Sequence, residues 1–297
     1  MAVCTKTMSP AQIEALHQKL LPLAKKQSQP ANTLWQIKTE DLNVCAYKSG
    51  KVVFSGADIS WLEDEKPAAS SSAATSSPAS SWKQAVPQAG SDEVGFGDFL
   101  GPVIVAAVLV PDEKTRQELL AMGVTDSKAM TDERIRQIAP RIEQLVPHTI
   151  LVVDNPKYNR IYDSETMNMN KIKATMHNQA YLNLQAKAGS LPELKVIDQF
   201  CAPNTYYRYL VGQKQVERGI TFQTKAESDF IAVAAASVLA RARFLNVWKD
   251  LEAFYDMSLH KGGGALATQS GKDFVKKYGK ERLGEIAKLN FRNTQKL

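Results

Sequence analysis

Asp92 and Glu93 stand side by side in Gly90-Ser91-Asp92-Glu93-Val94-Gly95-Phe96-Gly97-Asp98-Phe99-Leu100-Gly101-Pro102, directly before the apolar run 103–110. An unpaired carboxylate is costly to bury. Acids at the rim of a buried strand therefore require a cation, a donor network or a function. Divalent metals that bind phosphates take hard oxygen ligands, commonly one or two carboxylates per ion. A pair of such ions can clamp the attacking and leaving oxygens of an in-line displacement. Two further acidic segments are placed to face the same edge. Leu194-Lys195-Val196-Ile197-Asp198 reads as a strand ending in an acid, and Thr224-Lys225-Ala226-Glu227-Ser228-Asp229 leads into an alanine-lined helix. That helix is expected from about Ser228, with Glu227 or Asp229 in its first turn near the strand ends. Acids at a helix start also complement the helix dipole, so position by itself leaves both readings open. Glu40-Asp41, Asp112-Glu113 and Asp132-Glu133 lack the glycine-rich strand context and read as solvated pairs.

Other chemistries are excluded by spacing. Between Gly97 and Gly101 lie three residues, where a dinucleotide-binding turn has two. Asp92 and Glu93 would also repel a pyrophosphate. There is no P-loop, no nucleophile elbow and no His/Cys metal spacing. The three cysteines, Cys4, Cys45 and Cys201, are scattered and odd in number, which argues against a disulfide framework or a zinc site.

The elements that must position the acids divide at residues 67–81, a Ser/Ala/Pro tract without charge, aromatic or large aliphatic side chains. Nothing there offsets the entropy of ordering the chain. The expected organisation is an N-terminal unit 1–65, a flexible linker 66–86 and a large unit 87–297. In the first unit Ser9-Pro10 caps a helix with apolar residues at Ile13, Leu16, Leu20, Leu21 and Leu23. Strand-like segments follow at 33–39, 42–48 and 52–54, then a short helix at 57–64. This is a small antiparallel sheet with a helix on one face, a binding or packing module. Trp35 and Tyr47 with Lys38, Lys48 and Lys51 form either a basic, aromatic binding face or, for the two rings, part of the core. The large unit alternates strands (103–110, 148–154, 194–198, 220–223) with helices (132–145 capped by Thr131, 169–188, and from 228), the pattern of an α/β layer architecture.

The net charge of +6 is concentrated at the C-terminal end, where nine Lys/Arg face three acids from Lys261 onward and the remaining 260 residues carry 28 of each sign. A basic segment of this kind suits a polyanionic partner, although charge runs are also common on solvated helices. With no continuous apolar run of the ~20 residues a span needs and no signal-peptide layout, a cytoplasmic location is expected.

Five motifs in order resemble the type 2 ribonucleases H, in particular their HIII branch. They are Gly90-Ser91-Asp92-Glu93 with Gly95-Phe96-Gly97 and Gly101-Pro102-Val103; Asp126-Ser127-Lys128; the helix from Asn168 through Asn170-Lys171 to His177-Asn178; strand-end Asp198; and Lys225-Ala226-Glu227 leading to Ala234-Ala235-Ala236-Ser237. The resemblance implies a ribonuclease H-like mixed sheet flanked by helices. It also implies a small N-terminal α+β domain similar to a TATA-binding-protein repeat, matched best at 47–54. Asp92, Glu93, Asp198 and Glu227 take the places of the family's carboxylates, holding one or two Mg²⁺ or Mn²⁺ ions, with Asp229 the substitute for Glu227.

The implied reaction is hydrolysis of the RNA strand of an RNA·DNA hybrid, leaving 5′-phosphate and 3′-hydroxyl ends, by a monomer without an obligate protein partner. Backbone groups of Gly95, Phe96 and Gly97 are expected to sense 2′-hydroxyls, with Lys128, Asn170, Lys171 and the basic C-terminal segment on the substrate. The HII branch carries a cation between the two glycines and a later tyrosine. Here Phe96 stands between them and 259–264 lacks the tyrosine, which favours cleavage within several ribonucleotides over incision at a single one. A non-catalytic hybrid binder is the alternative of a different class.

Overall fold

The computed structural model describes residues 2–30, 33–40, 42–56, 82–124 and 130–297. The expected helix 57–64, the tract 67–81 and Asp126-Ser127-Lys128 lie outside them. The chain divides into two compact units between Thr75 and Ser76.

The first unit is an antiparallel five-stranded sheet in the order β1-β5-β4-β3-β2. Its strands are β1 (Ala2–Thr7), β2 (Lys26–Ser28), β3 (Thr33–Lys38), β4 (Leu42–Tyr47) and β5 (Lys51–Gly56). Helix α1 (Pro10–Leu20) opens on a capping box, Ser9 accepting from Gln12 N–H and Gln12 accepting from Ser9 N–H. Trp35, Ile37, Val44, Ala46, Val52 and Phe54 alternate onto the covered side and pack with Ile13 and Leu20 of α1. Trp35 is thus a core residue, stacked on His17 at 4.9 Å. Tyr47 shares the opposite side with Cys45, to which it is hydrogen-bonded. Strands β1 and β2 were not expected. The three residues of β2 are all exposed and carry no apolar signal, so pairing with β3 alone makes them a strand.

In the second unit the sheet order is β10-β9-β6-β7-β8. Strands β6 (Gln88–Val94), β7 (Val103–Val110) and β8 (His148–Val153) are antiparallel, whereas β9 (Lys195–Asp198) and β10 (Ile220–Gln223) run parallel to β6. The helices are α2 (Glu113–Ala121), α3 (Asp132–Leu145), α4 (Asn155–Ile161), α5 (Met169–Ala188), α6 (Pro203–Tyr209), α7 (Ile231–Phe254) and α8 (Ala265–Tyr278). Apolar clusters lie on both faces of the sheet, one with α7 and α3, the other with α5. Strand β7 is buried at every position, which is why it reads as a continuous apolar run rather than an alternating one. Alanines of α7 let its backbone press on β6. A Cβ at Gly90 would fall 2.3 Å from Val233 N, so this crossing requires glycine.

Two expectations are corrected here. Helix α7 starts at Ile231, not near Ser228, because Ala226–Ser228 form a separate 3₁₀ turn entered through Lys225 in the left-handed region (φ 56°). Its first amide, Ala226 N–H, is taken by Asp198. The last residues of the expected linker are folded onto the second unit: Trp82–Gln84 form a 3₁₀ turn, and Gln88 donates to the Lys83 and Ala85 carbonyls.

Candidate active site

Asp92 and Glu93 lie within β6 rather than in a loop before the apolar strand, opposite Ala106 and Val105 of β7. On the other side β9 runs parallel to β6 with Ser91 opposite Ile197. The next residues along the two strands are therefore Asp92 and Asp198, brought side by side where β9 ends. The chain turns just beyond the pair, at Gly95 (φ +90°), where a Cβ would sit 2.1 Å from the Pro102 carbonyl oxygen. Asp92, Glu93 and Asp198 line one cavity of about 440 Å³, with Val94, Met130, Asp132, Ile135, Ser237 and Arg241 around them.

The two adjacent acids are held in opposite electrostatic states. Burial first, and then the charges of Glu93 and Asp198, push the Asp92 carboxyl well above the usual range, against hydrogen bonds from Ser237 and from Glu93 N–H. Burial would also raise Glu93, but His177 and Lys173 outweigh it and hold Glu93 below the usual range. Lys173 Nζ lies 2.6 Å from Glu93 Oε1, and His177 Nε2 lies 2.8 Å from Oε2.

Glu227 is buried on the 3₁₀ turn, next to the residue whose amide Asp198 accepts. It lines a smaller cavity of about 110 Å³ with Gln84, Arg116, Ser228, Asp229 and Phe230, not the cavity of the other three acids. Asp229 is engaged by Lys83 and Gln223. The fold thus brings Asp92, Glu93 and Asp198 together and sets Glu227 on the adjoining turn.

Of the other expected residues, Phe96 is buried, its ring 5.0 Å from Lys173 Nζ. Its side chain does not face solvent as a cation in that place would. Gly97 has open space where a side chain would be. Asn170 is exposed in the first turn of α5, one turn before Lys173, whereas Lys171 is two positions from Lys173 and so on another side of the helix. Neither lines the cavity. Lys128 lies outside the described residues.

Sequence reasoning missed Lys173, His177 and Ser237. It also missed a second polar cluster on the cavity wall, in which Asp132 accepts from Arg241 (3.1 and 3.0 Å) and Lys261 (3.2 Å). The one local signal was the four-residue spacing of Lys173 and His177, which puts both on one helical face. Asp132, read above as solvated, instead organises two cations. Lys288 was also missed. Fully buried, it donates to the carbonyls of Asp98 (2.7 Å), Leu100 (3.4 Å) and Gly101 (2.7 Å) and ties down the loop after Gly97.

The donor set fits a divalent cation. Three hard carboxylates line one cavity, and the ionisation of one is opposed by burial and by its like-charged neighbours, a penalty that a bound cation removes. Among the described residues no three His, Cys, Asp or Glu side chains are grouped so that they could hold a metal ion by themselves. An ion here would complete its shell with water and substrate, as Mg²⁺ commonly does.

Comparison with known proteins decides the family. The profile described as ribonuclease HII matches residues 89–294. A ribonuclease HIII of Bacillus cereus is 42% identical over 283 residues, covering 90% of this chain and 89% of that protein. The chain belongs to the ribonuclease HIII family. It is an endonuclease with the ribonuclease H-like fold, and its substrate class is the RNA·DNA hybrid. Residues 4–73 match a domain of unknown function, DUF3378. The crystal structure of Bst-RNase HIII in complex with Mn²⁺ superposes with a TM-score of 0.71 at 36% identity, over 99% of this chain and 97% of that one. Aquifex aeolicus RNase H3, at 21% identity and a TM-score of 0.57, shares the fold.

Proposed function

We propose that this ribonuclease HIII cuts the RNA strand of RNA·DNA hybrids at the cavity lined by Asp92, Glu93 and Asp198, with Glu227 supporting it from the adjoining turn, and leaves 5′-phosphate and 3′-hydroxyl ends. The observation that carries this reading is that the three acids line one cavity near the ends of neighbouring strands, one of them held above the usual carboxylate range. Asp92, Glu93 and Asp198 would hold one or two Mg²⁺ or Mn²⁺ ions, which when bound lower the pKa of the attacking water and stabilise the leaving oxygen. That Bst-RNase HIII was crystallised with Mn²⁺ supports this choice of metal. Ser237 and the Glu93 amide orient Asp92, and Ala226 N–H orients Asp198.

Arg241 and Lys261, paired through Asp132 on the cavity wall, suit contacts to backbone phosphates. The backbone of Gly95-Phe96-Gly97 is open to a ribose at Gly97, and the residue between the two glycines, Phe96, is turned inward and supplies no cation of its own to a single ribonucleotide. This supports cleavage within several consecutive ribonucleotides. In the first unit the sheet face away from α1 carries a ladder of hydrogen bonds, Ser28 to Gln36 (3.2 Å), Gln36 to Asn43 (2.8 Å) and Asn43 to Ser55 (3.2 Å). Leu34, Lys38 and Tyr47 flank it, and we assign this face to the hybrid.

A labelled hybrid with Mg²⁺ or Mn²⁺, with product ends analysed, tests the reading. Parent protein should cut and Asp92→Asn should not; equal cutting by the two refutes the site. On duplexes with one or four embedded ribonucleotides, efficient incision at the single one would reverse the stated preference.

A further inference from the structure

Glu93 is gripped from α5 more firmly than metal binding by itself would require. Lys173 Nζ and His177 Nε2 each take one carboxylate oxygen, at 2.6 and 2.8 Å, so the plane of the carboxylate is set by two donors one helical turn apart. Both donors are themselves fixed. The His177 ring is fully buried, its Nδ1 lies 2.8 Å from Ser91 Oγ, and it stacks on Phe200 at 5.5 Å and 21°. In the neutral ring the Nε2 proton points at the carboxylate and Nδ1 accepts from the Ser91 hydroxyl. The Lys173 ammonium sits between two aromatic rings, 5.0 Å from the centre of Phe96 and 5.1 Å from that of Phe200. Such faces attract a cation and limit where it can go. Phe96, the aromatic between the two glycines, is therefore one wall of the seat that holds Lys173 against Glu93.

The geometry points to Lys173 and His177 as positioning residues of the cleavage reaction, a two-donor clamp seated by Phe96, Phe200 and Ser91 that presents Glu93 to the metal in one orientation. The inference rests on the assignment of Glu93 as a metal ligand made above. Each donor occupies one lone pair of a carboxylate oxygen and leaves another for the cavity. Free glutamate, with three rotatable bonds, would have to be ordered on binding; here that ordering is complete in the fold. Lys173 also carries a charge that a divalent ion must approach. The clamp assignment says that its contribution to orientation exceeds this repulsion.

Lys173→Met and His177→Ala are compared with parent, Lys173→Arg and Glu93→Gln, all as full chains checked by thermal melting. Two quantities are measured: hybrid cleavage, resolved into kcat and KM, and Mn²⁺ binding by calorimetry without hybrid. Partners of metal ligands are commonly worth 10–100-fold in affinity or activity. The clamp predicts a loss in kcat of about that size in Lys173→Met and His177→Ala, KM within about twofold, and Mn²⁺ affinity lowered in parallel. Lys173→Arg, which keeps charge and reach, should recover most of the loss. If His177→Ala does not fold, Lys173→Met decides, since that side chain lies at the edge of the core.

Folded variants with parental kcat and Mn²⁺ affinity would overturn the inference. So would a change confined to KM, which would make Lys173 a hybrid contact, or tighter Mn²⁺ binding in Lys173→Met, which would make it a competitor of the metal. Activity retained in Glu93→Gln would instead remove the site assignment itself. An inactive Glu93→Gln beside unaffected clamp variants would remove the clamp alone.

Discussion

Both units of this chain contain a five-stranded sheet, yet the two sheets dispose of polar groups in opposite ways. In the first, α1 covers one face and the other bears Ser28, Gln36, Lys38, Asn43, Tyr47 and Ser55, bonded mostly to one another across strands. In the second, helices cover both faces and β7 is buried throughout, so acids occur only where strands end. A polar face can spread many weak contacts along a long polyanion. A strand end walled by apolar layers concentrates charge where screening is poor and each interaction is strong. Under the function proposed above, the contrast teaches that recognition and bond cleavage draw on the same secondary structure at different degrees of burial.

Asp92→Asn is the sharpest way to break that contrast. It should lower hybrid cleavage by about 10⁴-fold, roughly 5 kcal/mol of barrier. Cleavage assays showing less than a tenfold loss would mean that the buried strand end is not where chemistry occurs. Trp35→Ala removes the largest side chain from the covered face of the first sheet and should destabilise that unit by about 3–5 kcal/mol, read by calorimetry of the full chain. Its kcat at saturating hybrid should stay near parental; a matching fall in kcat would show that the two sheets are not separate in function. Lys288→Met takes the donor from the Asp98 and Leu100 carbonyls of the loop after Gly97, while Gly101 keeps Asn155 as a donor, and should cost the second unit about 1–3 kcal/mol in denaturant unfolding. An unchanged midpoint would show that those carbonyls are satisfied without it.

The same Asp92→Asn variant should gain stability without metal, by roughly 1–3 kcal/mol at pH 8. The Asp92 carboxyl titrates above its unfolded value, so the fold loses stability as pH rises from the ordinary carboxylate range through the raised one. Asn has nothing to ionise, and its advantage should grow from pH 4 to pH 8. A constant difference across that range would contradict the raised titration. In parent protein Mn²⁺ affinity should correspondingly fall as pH drops through the raised range. The smallest effect is expected at the polar face of the first sheet. Lys38→Ala with Lys51→Ala should raise KM several-fold, leave kcat alone, and reduce the salt dependence of binding by about 0.7–0.9 per lost phosphate contact. No change in salt slope would remove these lysines from the hybrid.

Much of this was readable from local pattern. The Ser9 cap, the apolar run of β7 and the alanines of α7 each announce their place through residue type and spacing, whereas the burial of Trp35 was left open and only the packing of α1 decides it. Strand β2 was not readable, because Lys26–Ser28 carry no pattern and are extended only through hydrogen bonds to β3. Nor was the start of α7, where Asp198 takes the amide of Ala226 from a distant part of the chain.

By itself the sequence selected which acids to consider, since Asp92, Glu93 and Asp198 occupy glycine-flanked or strand-end positions where an unpaired charge would be costly, with Glu227 added by the family resemblance. Tertiary structure alone decided how they differ. Asp92 and Glu93 are neighbours of the same chemical kind. One is pushed up by its burial beside Glu93 and Asp198, and the other is held down by His177 and Lys173 from a helix some eighty residues away. Residue type and spacing select candidates for chemistry, but electrostatic state depends on what packs against them, and those partners are set by the packing of α5 and α7 on the sheet.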